Sequence, residues 1–495
     1  MVTAFSFDES FNEFKKYARQ DALMRTHIAF FIALATSAFS NSLLAQCNAE
    51  QDAQALYALE ANLKIYTLEN GLTVRLLPMA DKQTVTIASQ FNLGARNEAQ
   101  GQSGYAHLFE HMLFKGSENA PGDTYAQQLS ALGARFNAST HFDYTNYYVT
   151  LPSPALELGL YLEADRFIRP SLNATTVKNQ QETVLQEMAQ TIDNQPYVRS
   201  AMAFLLDQVQ GTPYGHGIIG SREDILQATP ESLTAIHRAY YRPDAMQLSL
   251  VGKLSPQTLQ WIEQNFATWP KPATTEPRFT ELHIQPKQVH AELVDERGPW
   301  PGLLLAWHTV GKDHPDAAAI QLLESYLFQN TASAIAKLSQ HNPAQMLSYS
   351  LPFELENHGI ANIVLVPRAR TSLDALVQKV LGLVTQTQQE ALDETSLCAL
   401  KQVWLNHRLQ QLSDTQALAT LLSATSAQDK DNPFSAQWQR INAVSAGDIQ
   451  RVATKYFTQN YVRLDLLPPW YIRWGKTLLE WLPGDMSDSL EDAVL

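Results

Sequence analysis

The chain has 495 residues, 45% of them hydrophobic and 17% charged, which is ordinary globular composition and enough for two or more sizeable cores. A formal net charge of −14, with no block of clustered Lys and Arg, excludes the electrostatic footprint of a nucleic-acid binder. Two cysteines, Cys47 and Cys398, cannot build a disulfide framework or a cysteine zinc cluster, so any metal must rely on histidine and carboxylate.

In chain order, the first readable element is "MRTHIAFFIALATSAFSNSLLA", Met24 to Ala45. It has a basic start at Arg25, an apolar segment from Ile28 to Ala38, and small or polar residues before Gln46, the pattern of a secretory signal. The apolar part is too short to span a bilayer, and no other stretch reaches ~20 consecutive apolar residues. The expectation is a periplasmic or secreted protein with no transmembrane anchor after signal removal. The residues before Met24 sit oddly ahead of a signal, so translation is expected to begin at Met24. Cys47 follows "LLAQ", but Gln46 stands where a lipidation site needs a small residue.

Next come "YTLENGLTVRLLP" (66 to 78) and "TVTIASQFNLG" (84 to 94), strand-like alternations with an Asn70-Gly71 hairpin signal. "GYAHLFEHMLFKGS" (104 to 117) follows as a short helix, with Ser103 near its start and Gly116 after Lys115 as a stop. "VKNQQETVLQEMAQTIDNQPY" (177 to 197) carries Val177, Val184, Leu185, Met188 and Ile192 as a helical stripe. A helix beginning near Thr229 and Pro230 then leads into a strand. The polar, Pro-rich stretch from Trp269 to Lys287 divides the chain almost evenly.

Beyond it the pattern returns in "PGLLLAWHTVG" (301 to 311), "DAAAIQLLESYLF" (316 to 328) and "SAGDIQRVATKYFTQNYVRLDLLP" (445 to 468). "HLFEHMLF" and "QLLESYLF" align at a constant offset of 214, which keeps apolar positions together while His107, Glu110 and His111 become Gln321, Glu324 and Ser325. A period this long points to duplicated α+β units rather than a solenoid. The predicted organisation is an N-terminal extension and signal (1–45), a first module (46–270), a linker (271–288), a degenerate second module (289–470) and a tail (471–495).

Within a helix, His107, Glu110 and His111 share one face, and two neutral imidazoles one turn apart can bind a single ion, for which zinc is suited. A chance HxxEH is expected at on the order of a few per cent in a chain this long, so a third ligand is needed. His141, His216, His237 and His290 read as surface or hydrogen-bonded core residues. Glu182 and Glu187 in the 177–197 segment are both able to ligate, and spacing within its helix does not choose between them.

These residues together resemble the M16 metallopeptidases, the inverzincins that include pitrilysin, insulin-degrading enzyme and mitochondrial processing peptidase. The resemblance rests on the inverted motif "HLFEH" and on "NGLTV" (70 to 74), "NQPY" (194 to 197), "TPYGH" (212 to 216), "GSREDI" (220 to 225) and "YYRP" (240 to 243). It covers about residues 60 to 470 and is more specific in the first half. The family's third ligand lies about 76 residues after the second His, which selects Glu187. The resemblance implies one Zn2+ per chain on His107, His111 and Glu187, with Glu110 as the general base of a zinc endopeptidase that hydrolyses peptides or unfolded segments. It makes 46–270 the catalytic and 289–470 the non-catalytic module, paired as a homodimer or as a heterodimer with another M16 subunit.

The resemblance also implicates an edge strand in "LGARFNASTHFDYTNYYVTLP" (132 to 152), where Asn137 and Ala138 would line the substrate backbone. Two positions depart from the family pattern. Gln180 replaces a Glu found seven residues before the third ligand in many relatives, and it cannot act as a charged base. Tyr349 matches a family substrate-site Tyr, but Asn342 stands where an Arg usually precedes it, so that Arg is absent or supplied by a partner. The rival expectation is a non-catalytic or partner-dependent subunit of a heteromeric peptidase, which predicts damaged metal ligands.

Overall fold

The computed structural model describes residues 52–473, apart from 272–283, 330–332, 341–345, 352, 354, 368–371 and 426–428. The proposed signal, most of the linker, Asn342 and most of the tail lie outside the described residues. Among the described residues, no helix is long and apolar enough to cross a membrane.

In the first half, α1 (Gln54–Asn62) precedes a hairpin of β1 (Lys64–Thr67) and β2 (Thr73–Pro78). Then follow β3 (Thr84–Phe91), α2 (Tyr105–Met112), a second hairpin of β4 (Arg135–Thr140) and β5 (Thr145–Pro152), α3 (Ala174–Met188), α4 (Val198–Asp207) and β6 (Met246–Gly252). The second half contributes β7 (Val289–Val294), β8 (Gly302–Val310), α5 (Ala317–Glu324), β9 (Met346–Tyr349), β10 (His358–Pro367), α6 (Thr415–Ser423) and β11 (Val462–Leu467). Asn70-Gly71 forms the expected turn, with Gly71 at φ +95° and its N–H donating to the Leu68 carbonyl at 2.9 Å.

The sheets run β1-β2-β6-β3-β5-β4 and β7-β11-β8-β10-β9. With β1 removed, the two orders coincide strand for strand. The parallel pair β2·β6 is matched by β7·β11, and every other neighbour pair is antiparallel in both. The duplication legible at a 214-residue offset is therefore a duplication of topology.

The halves interlock by exchanging helices. Along β3, Val85, Ile87 and Phe91 point into the core around α2, while Ala88 joins a cluster with Leu303, Trp307, Leu418 and Leu422, as a two-residue period requires. Helix α6, late in the second half, packs on β3, β5 and β6, with Thr86 Oγ1 donating to Thr415 Oγ1 at 3.1 Å. In return, Glu60 of α1 accepts the Phe434 and Ser435 amides at 2.9 and 2.7 Å and so caps a helix of the second half.

Candidate active site

Helix α2 is buried along its whole length. Leu108, Phe109 and Met112 are completely covered, and truncating any of them to Ala is expected to cost about 2–5 kcal/mol. Ser103 lies just before the helix start, as expected. The N-cap is Gly104, at φ +91°, and Ser103 donates its backbone N–H to Asp224 Oδ2 at 2.9 Å. Gly104 lies against Gly220, where a Cβ on either would meet the other segment's backbone, so "GSREDI" is packed directly on the helix start.

The exposed amides of the first turn are taken by Glu98. Its Oε2 accepts from Gly104 N and its Oε1 from Ala106 N, both at 2.7 Å. Burial pushes the Glu98 carboxyl well above its ordinary range, against the pull of these two amides. The helix ends at Met112, four residues before the predicted stop at Gly116, with Leu113 as the C-cap.

The third candidate ligand comes from α3, which is capped by Asn173, whose side chain accepts from Thr176 N. Regular α-helix stops at Met188, short of Ile192, the last residue of the expected stripe. After Met188 it widens into a π-helical turn over Ala189–Asp193, beginning two residues after Glu187, and such turns recur at functional sites. "NQPY" follows, with Tyr197 at φ +66°, a rare conformation for a bulky side chain. Asp295 Oδ2 holds it there by accepting the Tyr197 N–H at 3.0 Å, while Trp300 N donates to its hydroxyl at 3.0 Å. The segment after Glu187 is thus clamped to the second half.

These elements bring His107, His111 and Glu187 together. Their ligand atoms lie within 4.8 Å of one another, and the two imidazoles are 4.8 Å apart, ring centre to ring centre. His107 Nε2 is 3.7 Å from Glu187 Oε1 and His111 Nε2 is 3.3 Å from Glu187 Oε2. A tetrahedral ion with bonds of ~2.0–2.1 Å would set its ligand atoms roughly 3.3–3.4 Å apart, so the donor set fits zinc. His111 Nε2, despite its proximity to Glu187, has no hydrogen-bond partner, as expected of a nitrogen shaped for an ion. Burial, then the neighbouring His111, drive His107 down to about 4, which keeps it neutral and able to ligate. Burial alone would raise Glu187, but His111 and His107 outweigh it and hold the carboxyl low. Glu182 does not enter this cluster.

Glu110 is fully buried beside the trio, and burial lifts its carboxyl to about 7. Oε2 accepts a 2.6 Å hydrogen bond from Thr140 Oγ1, and Oε1 has no partner. Behind it, Arg166 is fully buried, forked onto Glu163 through two 2.8 Å hydrogen bonds. Four rings, those of Phe114, Tyr125, Tyr147 and Phe167, surround its guanidinium at 4.4 to 4.9 Å.

Asn137 and Ala138 sit on β4, the outer strand of the first sheet, paired with Tyr148 and Tyr147 of β5. Gln180 is buried on α3. Tyr349 is placed on β9, the matching outer strand of the second sheet, with burial and then Tyr197 and Asp295 raising its hydroxyl. It lines a cavity of about 660 Å³ whose other wall is the tip of the β4–β5 hairpin, His141 to Tyr144. A second cluster, His290, Glu292 and Asp465, is a poorer metal site, because Arg463 already clasps Asp465 through two 2.7 Å hydrogen bonds.

Sequence reasoning missed Glu98, Thr140 and the Arg166–Glu163 pair. Strand alternation carried a signal only for Thr140, two residues beyond Ala138 and so on the same face.

Comparison with known proteins follows this geometry. Residues 75–221 match the family model described as Insulinase (Peptidase family M16), and residues 227–403 match that of the Peptidase M16 inactive domain, together more than half of the chain. The chain belongs to peptidase family M16. It is 23% identical over 437 residues to zinc protease PqqE of Helicobacter pylori, covering 87% of this chain and 97% of that protein. Over 411 residues it is 26% identical to the mitochondrial-processing peptidase subunit beta of Lentinula edodes, covering 79% and 87%. A crystal structure of a protease from Helicobacter pylori superposes with a TM-score of 0.76 at 21% identity, covering 82% of this chain and 99% of that one, which shows the shared two-half fold.

Proposed function

We propose that the protein is a zinc-dependent endopeptidase that cleaves peptides or unfolded segments. The observation that carries this reading is the convergence of His107, His111 and Glu187 beside a buried, half-satisfied Glu110. His107 and His111 would hold the ion through Nε2 and Glu187 through its carboxylate. Zinc bound there would lower the pKa of a coordinated water to about 7 and polarise the scissile carbonyl.

The chain's own residues supply the rest. Glu110, with its carboxyl near 7, takes a proton at the free Oε1 and passes it to the leaving amine. The open edge of β4 at Asn137 and Ala138 aligns extended backbone with little demand on side chains, which suits unfolded substrates. Tyr349, on the wall of the neighbouring cavity, is the second-half residue we assign to substrate contact. We place the mature protein in the periplasm or outside the cell on the strength of residues 24–45, and pair it with a second copy or another M16 subunit. Some relatives are named as subunits of larger assemblies, which favours a partner.

The test is to purify the chain, measure bound zinc, and compare peptide cleavage with Glu110→Gln. Equal metal content and a loss of hydrolysis in the variant are expected. Full cleavage by the variant would refute the assigned base, and an inactive, zinc-loaded wild type would favour the partner-dependent reading.

A further inference from the structure

The last residue of β4 makes a contact that the roles above do not use. Thr140 is nine-tenths buried and spends its single hydroxyl proton on Glu110 Oε2, at 2.6 Å. Its register partner on β5 is Thr145, which is completely buried, donates to the Leu93 carbonyl at 2.7 Å and lies 3.4 Å from Thr140 Oγ1. The hydroxyl of Thr140 is therefore backed on one side by a fixed neighbour and aimed on the other at the carboxylate. Glu110 itself has only this one hydrogen bond, since Oε1 is buried and unpartnered.

A carboxylate tied at one oxygen can rotate about its side-chain bonds only by breaking that bond. The tie at Oε2 thus decides that Oε1 is the oxygen left unpaired. The tie also has a consequence for substrate binding, because Thr140 is two residues from Ala138 on the strand whose free edge would receive substrate backbone. Any shift of that strand on substrate pairing moves the hydroxyl that holds the base.

We propose that Thr140 is a positioning residue for the general base, linking the substrate-binding edge of β4 to the orientation of the Glu110 carboxylate. This rests on the endopeptidase reading of the site. Thr140 touches neither the ligands nor the leaving group in this role; it acts through Glu110. Ser preserves the hydroxyl, and Val preserves the shape without it, so the pair separates hydrogen bonding from packing.

The full chain, Thr140→Val and Thr140→Ser are compared in steady-state peptide hydrolysis, zinc content and crystal structures. For Val, kcat is expected to fall ~10–100-fold with KM and zinc content unchanged, the range found for outer partners of catalytic sites. For Ser, kcat is expected within about threefold of wild type, consistent with a retained donor. In the crystals, the Glu110 carboxylate should rotate away or lose order in Val and keep its wild-type position in Ser. An unmoved Glu110 in Val, a Ser variant as impaired as Val, or a loss expressed in KM or zinc would overturn the proposal. An inactive wild type that binds no zinc would instead remove the endopeptidase reading, and the crystallographic comparison would still decide whether Thr140 places Glu110.

Discussion

Helices α2 and α5 occupy the same place in their halves, each following the strand at the same position of its sheet, yet they treat their polar residues in opposite ways. On α2, His107 Nδ1, Glu110 Oε1 and His111 Nε2 are buried without hydrogen-bond partners. On α5, Gln321 Oε1 accepts from Trp404 Nε1 at 3.2 Å, and Glu324 Oε2 accepts from Gln329 Nε2 at 3.3 Å. Ser325, at the position matching His111, keeps the helical i, i+4 relation to Gln321, its N–H donating to the Gln321 carbonyl, and brings no ligand atom of its own beyond a hydroxyl. A buried polar atom left unpaired costs about 1–3 kcal/mol, which a fold retains where a ligand or a reaction makes use of it. Helix α5 has absorbed its polar groups and kept the apolar scaffold.

The helix starts differ in the same sense. Glu98 puts both carboxylate oxygens on the first turn of α2. Asp316, at the start of α5, is instead bound by Arg451 at 2.7 Å, Lys455 at 3.1 Å and the Tyr456 hydroxyl at 2.6 Å. One device fixes the orientation of a helix carrying ligands. The other staples a helix to its neighbour.

The contrast is most exposed to a matched pair of substitutions. Glu187→Gln is expected to lower peptide hydrolysis by more than ~10³-fold and to abolish stoichiometric zinc in metal analysis, since one of three ligands is lost. Glu324→Gln should leave both within about twofold of wild type. Equal damage from the two would erase the distinction between the halves.

Acidification should load the second half as well as His107 in the first. His308 Nδ1 and His358 Nε2 lie 2.9 Å apart in the core of the second half. Burial, then His308, brings His358 down to about 4 from the usual 6.5, and burial lowers His308. Because the unfolded chain binds these protons more readily, stability is complete above about 6.5 and is lost as pH falls towards 4. The loss attributable to His358 is roughly 3 kcal/mol, readable by denaturant titration at several pH values, and it should shrink in His358→Asn. A flat stability profile between those limits would contradict the assignment.

Removing the Asp316 staple is a smaller perturbation. Asp316→Ala is expected to destabilise the fold by about 1–3 kcal/mol in chemical unfolding while zinc binding stays intact. The smallest effect is expected from restoring the imidazoles, with Gln321→His and Ser325→His combined. Zinc analysis should still find a single ion per chain, because two imidazoles without a third ligand do not complete a zinc site. A second equivalent of zinc would show that only side-chain identity separates the halves.

Much of this was legible in the sequence because it is local. The i, i+3, i+4 face of "HLFEH", the Asn70-Gly71 turn and the alternating strands all depend on neighbours a few residues apart. The duplication was legible because apolar period survives when chemistry does not. The length of α3 was not, since the change from α to π geometry after Met188 leaves the apolar stripe running on through Ile192. Nor were Glu98 on α2, Thr140 on Glu110, or the ion pair of Arg96 with Asp143 at 2.7 Å, which also draws in Glu356 from the other half. These are tertiary meetings between segments whose local patterns say nothing of each other. Tyr349 was found by resemblance, and its wall of the cavity emerges only when the halves are packed together.

The division between a chemical half and a scaffold half is tested most directly by anomalous diffraction at the zinc edge, on crystals of the full chain grown with zinc. A single peak is expected, enclosed by His107, His111 and Glu187, with none near Gln321 and Glu324. A peak in the second half, or an empty trio in a zinc-saturated crystal, would contradict it.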